Sequence, residues 1–138
     1  MTMTGPRRIL VAEDTFDSRQ WLVRLLGRMC KATIVESRDG VTAVADYERL
    51  RPQLTFLDIE MPNKSGMEAL QEIRAIDPQA YVVIVSAAGS IDTVQQALAL
   101  GVGGFVVKPF SERRILDVLK KYAAESGDAA LLGADYAP

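Results

Sequence analysis

The stretch LTFLDIEMPNKSG, residues 54–66, largely decides which fold this sequence predicts. It begins with four residues that suit a strand, reaches a carboxylate at Asp58 and is broken by Pro62 and Gly66. A short continuous run of this kind is typical of a parallel strand that is covered on both faces. The proline and the glycine mark a turn after it. The stretch therefore predicts a buried strand that ends on an acid.

Four further runs of the same kind alternate with amphipathic segments along the chain. They cover residues 9–12, 32–36, 81–85 and 105–107. Apolar residues between the runs recur every three or four positions, as expected for helices; the clearest are Leu22, Leu25, Leu26 and Met29 in the first segment and Ile91, Val94 and Leu98 in the fourth. The repeated strand–helix order predicts an α/β fold with right-handed crossovers and three layers, in which helices cover both faces of a parallel sheet.

Length, charge and composition restrict the function further. A chain of 138 residues suits one domain, which we expect over residues 7–124, between an N-terminal extension (1–6) and a C-terminal tail (125–138). The net charge of −2 gives no general attraction to nucleic acid or to an anionic membrane, and no apolar segment is long enough to span a bilayer. Cys30 is the only cysteine, so a reducing cytoplasm is the expected location. The absence of histidine excludes Ser-His and Cys-His nucleophilic pairs and histidine-bound zinc.

Polar residues end or directly follow four of the predicted strands. The carboxyl ends of parallel strands lie at one edge of the sheet, where open α/β folds form their ligand sites. We therefore expect five side chains to converge there: Glu13, Asp14, Asp58, Ser86 and Lys108.

The three acids of this group predict a metal site. Two carboxylates ~4 Å apart repel by about 4 kcal/mol at an effective dielectric constant near 20, and unless this repulsion is relieved it raises the pKa of at least one of them. An all-oxygen cluster suits Mg²⁺, which requires only one or two carboxylates. Taken singly, Glu13 and Asp14 are equally well explained as acids at the start of a helix near Phe16. Lys108 alone could be a surface lysine, and Ser86 alone could be a turn residue.

Four motifs in this order and spacing resemble the receiver domain of bacterial two-component response regulators, of the single-domain chemotaxis type. They are ILVAED, FLDIEMPNKSG, VIVSA and GFVVKPF, and the likeness covers residues 7–124. The resemblance implies a flavodoxin-like, doubly wound (βα)5 sandwich with the strand order 2-1-3-4-5. It also implies a signalling domain that catalyses only its own phosphorylation and dephosphorylation.

By this resemblance, Asp58 accepts a phosphoryl group as an acyl phosphate. The donor would be a phosphohistidine of a sensor histidine kinase or phosphotransfer protein, or a small molecule such as acetyl phosphate. Asp14 and Asp58 would bind Mg²⁺ directly, Glu13 would act through a water, and the Glu60 carbonyl would complete the set. The cation and Lys108 would neutralise charge, which phosphoryl transfer needs more than covalent help.

The resemblance also implies a switch and an output surface. The Ser86 hydroxyl would turn toward the phosphoryl group, and Phe105 would rotate into the vacated space. The altered face would comprise the helix around 91–100, the fifth strand and the helix around 111–122, and it would contact a protein partner or a second copy of the chain. Glu60 and Ala88 hold positions that influence the lifetime of the phosphoryl group, and Ala88 cannot orient an attacking water.

Three other functions remain open on the sequence alone. A flavodoxin-like cofactor binder shares the fold, but it would want a Ser/Thr/Gly phosphate loop where Glu13 and Asp14 stand. A Mg²⁺-dependent phosphohydrolase with an aspartyl nucleophile shares the chemistry, although its acids usually stand as Asp-x-Asp after the first strand. A pseudo-receiver that is never phosphorylated would serve only as an interaction module.

Overall fold

The computed structural model describes residues 6–87 and 91–136, which form five strands and five α-helices in strict alternation. A short 3-10 helix, Ala129–Leu131, follows the last α-helix. The bounds of the elements in chain order are β1 Arg8–Ala12, α1 Phe16–Met29, β2 Thr33–Ser37, α2 Gly40–Leu50, β3 Leu54–Leu57, α3 Gly66–Ile76, β4 Val82–Ser86, α4 Ile91–Ala99, β5 Gly104–Val107 and α5 Glu112–Ser126.

The strands form one parallel sheet in the order β2-β1-β3-β4-β5. Alternate residues of each strand enter two separate apolar cores, because successive side chains of a strand point to opposite faces. Ile9 and Val11 pack with α1 and α5, whereas Leu10 and Ala12 pack with α2 and α3. The three-layer sandwich and the strand order are as predicted.

Helix α4 differs from the expected amphipathic pattern. Ala97 is its buried residue, while Ile91 and Leu98 are 74% and 58% exposed. The helix therefore buries only a small side chain completely, leaves Val94 half-buried and presents Ile91 and Leu98 to solvent. Apolar periodicity does identify the helix, but the stripe does not face the core.

The C-terminal segment packs onto the domain. Helix α5 continues to Ser126 and ends at Gly127, whose positive φ of 75° suits a glycine after a helix. Leu131 and Leu132 are then buried beside the end of α1. Main-chain hydrogen bonds hold them there, from Lys31 N to Leu131 O at 2.7 Å and from Gly133 N to Met29 O at 2.7 Å.

An ion pair joins this segment to the start of β1. Arg7 Nε lies 2.8 Å from Asp128 Oδ1, and the Tyr122 hydroxyl donates to Asp128 Oδ2 at 2.9 Å. The segment expected as a tail is thus tied to the domain up to the end of the described chain, and of the N-terminal extension only residue 6 is described. Over the same described ranges, no helix has both the length and the hydropathy needed to cross a bilayer.

Candidate functional site

The carboxyl ends of the central strands bring the acids together. Glu13 and Asp14 follow β1, and Asp58 follows β3, the neighbouring strand. One carboxylate oxygen from each of the three residues lies within 4.8 Å of those of the other two. Glu13 and Asp58 are buried, whereas Asp14 is exposed. The cluster therefore opens to solvent on the side of Asp14.

Lys108, directly after β5, reaches across the end of the sheet to two of these acids. Its ammonium donates to Asp58 Oδ2 at 2.7 Å and also to Glu13 Oε1. The Glu60 main-chain N–H donates to Asp58 Oδ1 at 3.1 Å. Both oxygens of Asp58 thus accept a hydrogen bond, so the carboxylate is held in one orientation.

The electrostatics of Glu13 and Lys108 reflect this crowding. Burial, together with a hydrogen bond to Asp58, raises the pKa of Glu13 from 4.5 to about 7, and Lys108 offsets only part of the effect. Burial lowers the pKa of Lys108, but its hydrogen bonds to Asp58 and Glu13 outweigh that effect, and the net pKa is raised. The lysine is therefore charged at neutral pH while Glu13 is poised between its two forms.

The residues present fit Mg²⁺. Glu13 Oε2 is buried and accepts no hydrogen bond from the described part of the chain. Burying an unpaired carboxylate oxygen costs free energy unless a bound water or ion pairs with it. The neighbouring donors are carboxylate oxygens, which hard divalent cations prefer. A cation beside Glu13 would satisfy the unpaired oxygen and reduce the repulsion among the acids.

The turn after β3 explains the residues that break the opening stretch. Asn63 has a positive φ of 70°, and Ser65 begins α3 with a capping box completed by Glu68. Gly66 N donates to Ile59 O at 2.7 Å. A Cβ on Gly66 would lie 1.9 Å from the Asp58 carbonyl oxygen. Only glycine therefore lets α3 start this close to Asp58.

A depression of about 520 Å³ lies above Asp58 and opens to solvent. It is lined by Asp14, Thr15, Asp58, Glu60, Met61, Pro62, Ala87 and Lys108. Three of these residues carry carboxylates and one carries an ammonium. The depression has room for a phosphoryl group and a hydrated cation beside the Asp58 carboxylate.

The remaining predicted residues lie at the same edge or outside the described chain. Ser86 ends β4 and is fully buried, and its carbonyl accepts a hydrogen bond from Lys108 N at 2.9 Å. Phe105 lies in β5 and is partly buried against the core formed with α2 and α3. The peptide bond between Lys108 and Pro109 is cis. Ala88 lies outside the described residues.

Arg19, a buried arginine on α1, was not predicted as a site residue from the sequence. Its guanidinium donates to the Glu13 carbonyl oxygen at 2.8 Å and to Glu36 Oε1 at 2.8 Å. The signal in the sequence is its place in the apolar stripe of α1, three residues before Leu22 and seven before Leu26. A charged residue at such a position calls for a buried partner.

Comparisons with known proteins agree with this geometry. A family model described as a response regulator receiver domain matches residues 9–120. The chemotaxis protein CheY of Listeria monocytogenes is 34% identical over 116 residues, which cover 84% of this chain and 98% of that protein.

Solved structures give the same result. The response regulator domain of Thermotoga maritima CheB superposes with a TM-score of 0.73 at 30% identity, over 87% of this chain and 96% of that one. A chain of the CheX-CheY-BeF3-Mg²⁺ complex from Borrelia burgdorferi superposes with a TM-score of 0.76 at 26% identity, over 83% of this chain and 87% of that one. The acids and the lysine at the edge of the sheet, the strand order and these similarities together show that this chain belongs to the response regulator receiver family and is a receiver domain of the CheY type.

Proposed function

We propose that the chain is the phosphoacceptor of a phosphorelay and that Asp58 carries the phosphoryl group. The observation that carries this proposal is the position of the Asp58 carboxylate, which lies at the floor of a solvent-open depression with Lys108 Nζ 2.7 Å away. The donor is the phosphohistidine of a sensor histidine kinase or of a phosphotransfer protein.

The transfer step needs little from the protein beyond position and charge. An oxygen of the Asp58 carboxylate forms a bond to phosphorus while the bond from phosphorus to the donor nitrogen breaks, and the electron pair leaves with the imidazole. The product is an acyl phosphate. The Lys108 ammonium, already aligned with Asp58, then pairs with an oxygen of the phosphoryl group.

Mg²⁺ supplies further neutralisation of the phosphoryl oxygens when it is bound. Asp14, Asp58 and the Glu60 carbonyl would hold it, and Glu13 would act through a water. The unpaired Oε2 of Glu13 supports this assignment.

The response to phosphorylation passes through β4 and β5. We expect the Ser86 hydroxyl to turn toward the phosphoryl group, and Phe105, which is only partly buried, to move inward. Lys108 N already links the two strands through the Ser86 carbonyl at 2.9 Å. Glu60 lines the depression and, with Ala88, is expected to set how long the phosphoryl group lasts.

The output is contact with a protein, on the face formed by α4, β5 and α5. Ile91, Leu98 and Val107 expose 74%, 58% and 50% of their surface there, which favours an apolar partner surface. That partner is a downstream protein target or a second copy of the chain, and not nucleic acid or a membrane. The domain acts on no external substrate, and it works in the cytoplasm. Burial raises the pKa of its one thiol, Cys30, to about 12, so the thiol stays protonated at neutral pH.

The test is the intact mass of the protein after incubation with acetyl phosphate, with and without Mg²⁺. Wild type is expected to gain one phosphoryl group only with Mg²⁺, and Asp58→Asn is expected to gain none. Asp117→Asn, which changes an exposed aspartate of α5, is the matched control and is expected to behave as wild type.

Beryllium fluoride separates a poor small-molecule donor from a site that cannot hold a phosphoryl group. If wild type gains no mass and also fails to bind beryllium fluoride in the presence of Mg²⁺, the phosphoacceptor proposal is wrong and the chain is a pseudo-receiver. Turnover of a chromogenic phosphomonoester would instead identify a phosphohydrolase.

A further inference from the structure

Arg19 is the most buried arginine of the described chain, with 4% of its surface exposed. It lies in the first turns of α1, on the face that packs against the sheet. One guanidinium nitrogen, Nη1, donates to the Glu13 carbonyl oxygen at 2.8 Å and lies 3.5 Å from the Asp14 carbonyl oxygen. The side chain therefore contacts the main chain of both residues of the acidic pair.

A second contact fixes the guanidinium from the other side. Nε of Arg19 donates to Glu36 Oε1 at 2.8 Å, and Glu36 lies on β2. The same carboxylate oxygen accepts a hydrogen bond from Gln20 Nε2 at 2.8 Å. Because a guanidinium is planar and rigid, holding Nε also sets the direction in which Nη1 points.

These contacts are made to the main chain that sets the direction of the Asp14 side chain. The Glu13 and Asp14 carbonyls belong to the two peptide planes on either side of the Asp14 Cα. Because peptide units are planar, the orientations of these planes set φ and ψ of Asp14 and so the direction of its Cβ. Within residues 6–87 and 91–136, the Asp14 carboxylate itself makes no hydrogen bond or ion pair. Its aim therefore depends on the main chain.

The stability of α1 does not explain an arginine at this position. A leucine would continue the apolar stripe formed by Leu22, Leu25 and Leu26, which are buried against the sheet. A buried guanidinium instead has a desolvation cost that its partners must offset. The contacts that offset it are those to the loop of the acidic pair, to Glu36 and to the ring of Phe16, whose centroid lies 5.5 Å from the guanidinium carbon.

We infer that Arg19 is a positioning residue, which aims the Asp14 carboxylate at the divalent cation by holding the main chain of the loop between β1 and α1. The inference rests on the proposed function, because it assigns to Asp14 a cation to bind. Residues that orient metal ligands without touching the metal typically change the metal affinity by roughly ten- to a hundredfold when they are replaced.

The experiment measures Mg²⁺ binding directly, as the shift of the thermal unfolding midpoint across a Mg²⁺ titration. A ligand that binds only the folded state stabilises it in proportion to ln(1 + [L]/Kd), so the titration gives Kd without any phosphoryl transfer. We expect Arg19→Met to raise the Kd for Mg²⁺ about tenfold. Arg19→Lys keeps the charge but not the fork of donors, so we expect a smaller increase.

Two further variants separate position from stability. Arg28→Met makes the same change on the same helix, at an exposed arginine whose Nη2 lies 2.9 Å from Glu112 Oε1, and we expect it to leave the Kd unchanged. Glu36→Gln keeps an oxygen near Arg19 but removes its charge, and we expect an increase in Kd in the same direction as Arg19→Met. A purely structural arginine would lower the unfolding midpoint at all Mg²⁺ concentrations and would leave Kd as it is.

An unchanged Kd in Arg19→Met overturns the inference. If that variant does not fold, the Kd values of Arg19→Lys and Glu36→Gln test the inference instead. A wild-type Kd for Mg²⁺ in both of these variants overturns the inference. Absence of any Mg²⁺-dependent shift in wild type overturns it as well. A wild type that binds Mg²⁺ but gains no phosphoryl group leaves the role of Arg19 intact and contradicts the proposed function instead.

Discussion

Replacing Lys108 with methionine is expected to destabilise the protein more strongly as the pH rises. The lysine ammonium contacts both Asp58 and Glu13, and methionine keeps much of the side-chain length without the charge. Carboxylate oxygens of Glu13 and Asp58 lie within 4.8 Å of one another. At that separation, and at an effective dielectric constant near 20, two ionised carboxylates repel by about 3 kcal/mol.

The pH dependence follows from Glu13, whose pKa is raised from 4.5 to about 7 in the folded state. The folded protein therefore binds this proton more tightly than the unfolded chain, and the free energy of unfolding falls as the pH rises from 4.5 to 7. In wild type the fall levels off above pH 7, where Glu13 ionises beside Lys108.

In the variant, the unrelieved repulsion raises the pKa of Glu13 further, so the free energy of unfolding continues to fall above pH 7. Each additional pH unit costs about 1.4 kcal/mol. We therefore expect the free energy of unfolding of Lys108→Met, relative to that of wild type, to be about 2 kcal/mol lower at pH 8.5 than at pH 5.5. This difference corresponds to roughly 1.5 pH units over which the free energy of unfolding continues to fall in the variant only.

The assay is urea unfolding followed by circular dichroism, in EDTA and at both pH values. Lys64→Met is the matched control, since Lys64 is similarly shielded and ion-paired with Glu72, and its effect should be the same at both pH values. The double variant Glu13→Gln/Lys108→Met should lose the pH dependence. An equal loss at pH 5.5 and pH 8.5 in Lys108→Met would refute the argument, because it would mean that Glu13 does not titrate against Asp58.

Two further predictions concern the support of the site and the C-terminal segment. Gly66→Ala places a Cβ 1.9 Å from the Asp58 carbonyl oxygen, so we expect a lower urea midpoint and little phosphoryl adduct from acetyl phosphate. Gly27→Ala is the control, because its Cβ would meet nothing within 4 Å; its free energy of unfolding should rise by up to about 1 kcal/mol, and it should still form the adduct. Leu131→Ala removes a fully buried side chain and should cost about 2–5 kcal/mol in urea unfolding, whereas Leu98→Ala, 58% exposed, should cost less than about 0.5 kcal/mol; equal effects would contradict the packing described above.

The sheet and its acidic edge could be predicted from the sequence because their signals are local. Leu54–Leu57 is a continuous buried run, and the residue after it inevitably lies at the carboxyl edge. The packing of the C-terminal segment could not be predicted, since Leu131 is buried only through contact with residues near Met29, about a hundred positions earlier in the chain. The exposed stripe of α4 was misleading for a related reason. Periodicity shows that a helix has an apolar face but not what covers that face.

Three features that depart from the folding pattern lie at the proposed cation site or on the proposed output face. Glu13 is buried with one oxygen that no described group satisfies, Arg19 interrupts an apolar stripe, and α4 exposes Ile91 and Leu98. Each of these costs stability in the isolated domain, and natural sequences tolerate such conflicts mainly at functional sites. The cation would pair with the free oxygen of Glu13, and a protein partner would cover the exposed apolar residues of α4. The carbonyl of Glu13 already offsets part of the cost of burying Arg19. If the domain binds the proposed cation and the proposed partner, each of them would therefore add stability that the isolated domain lacks.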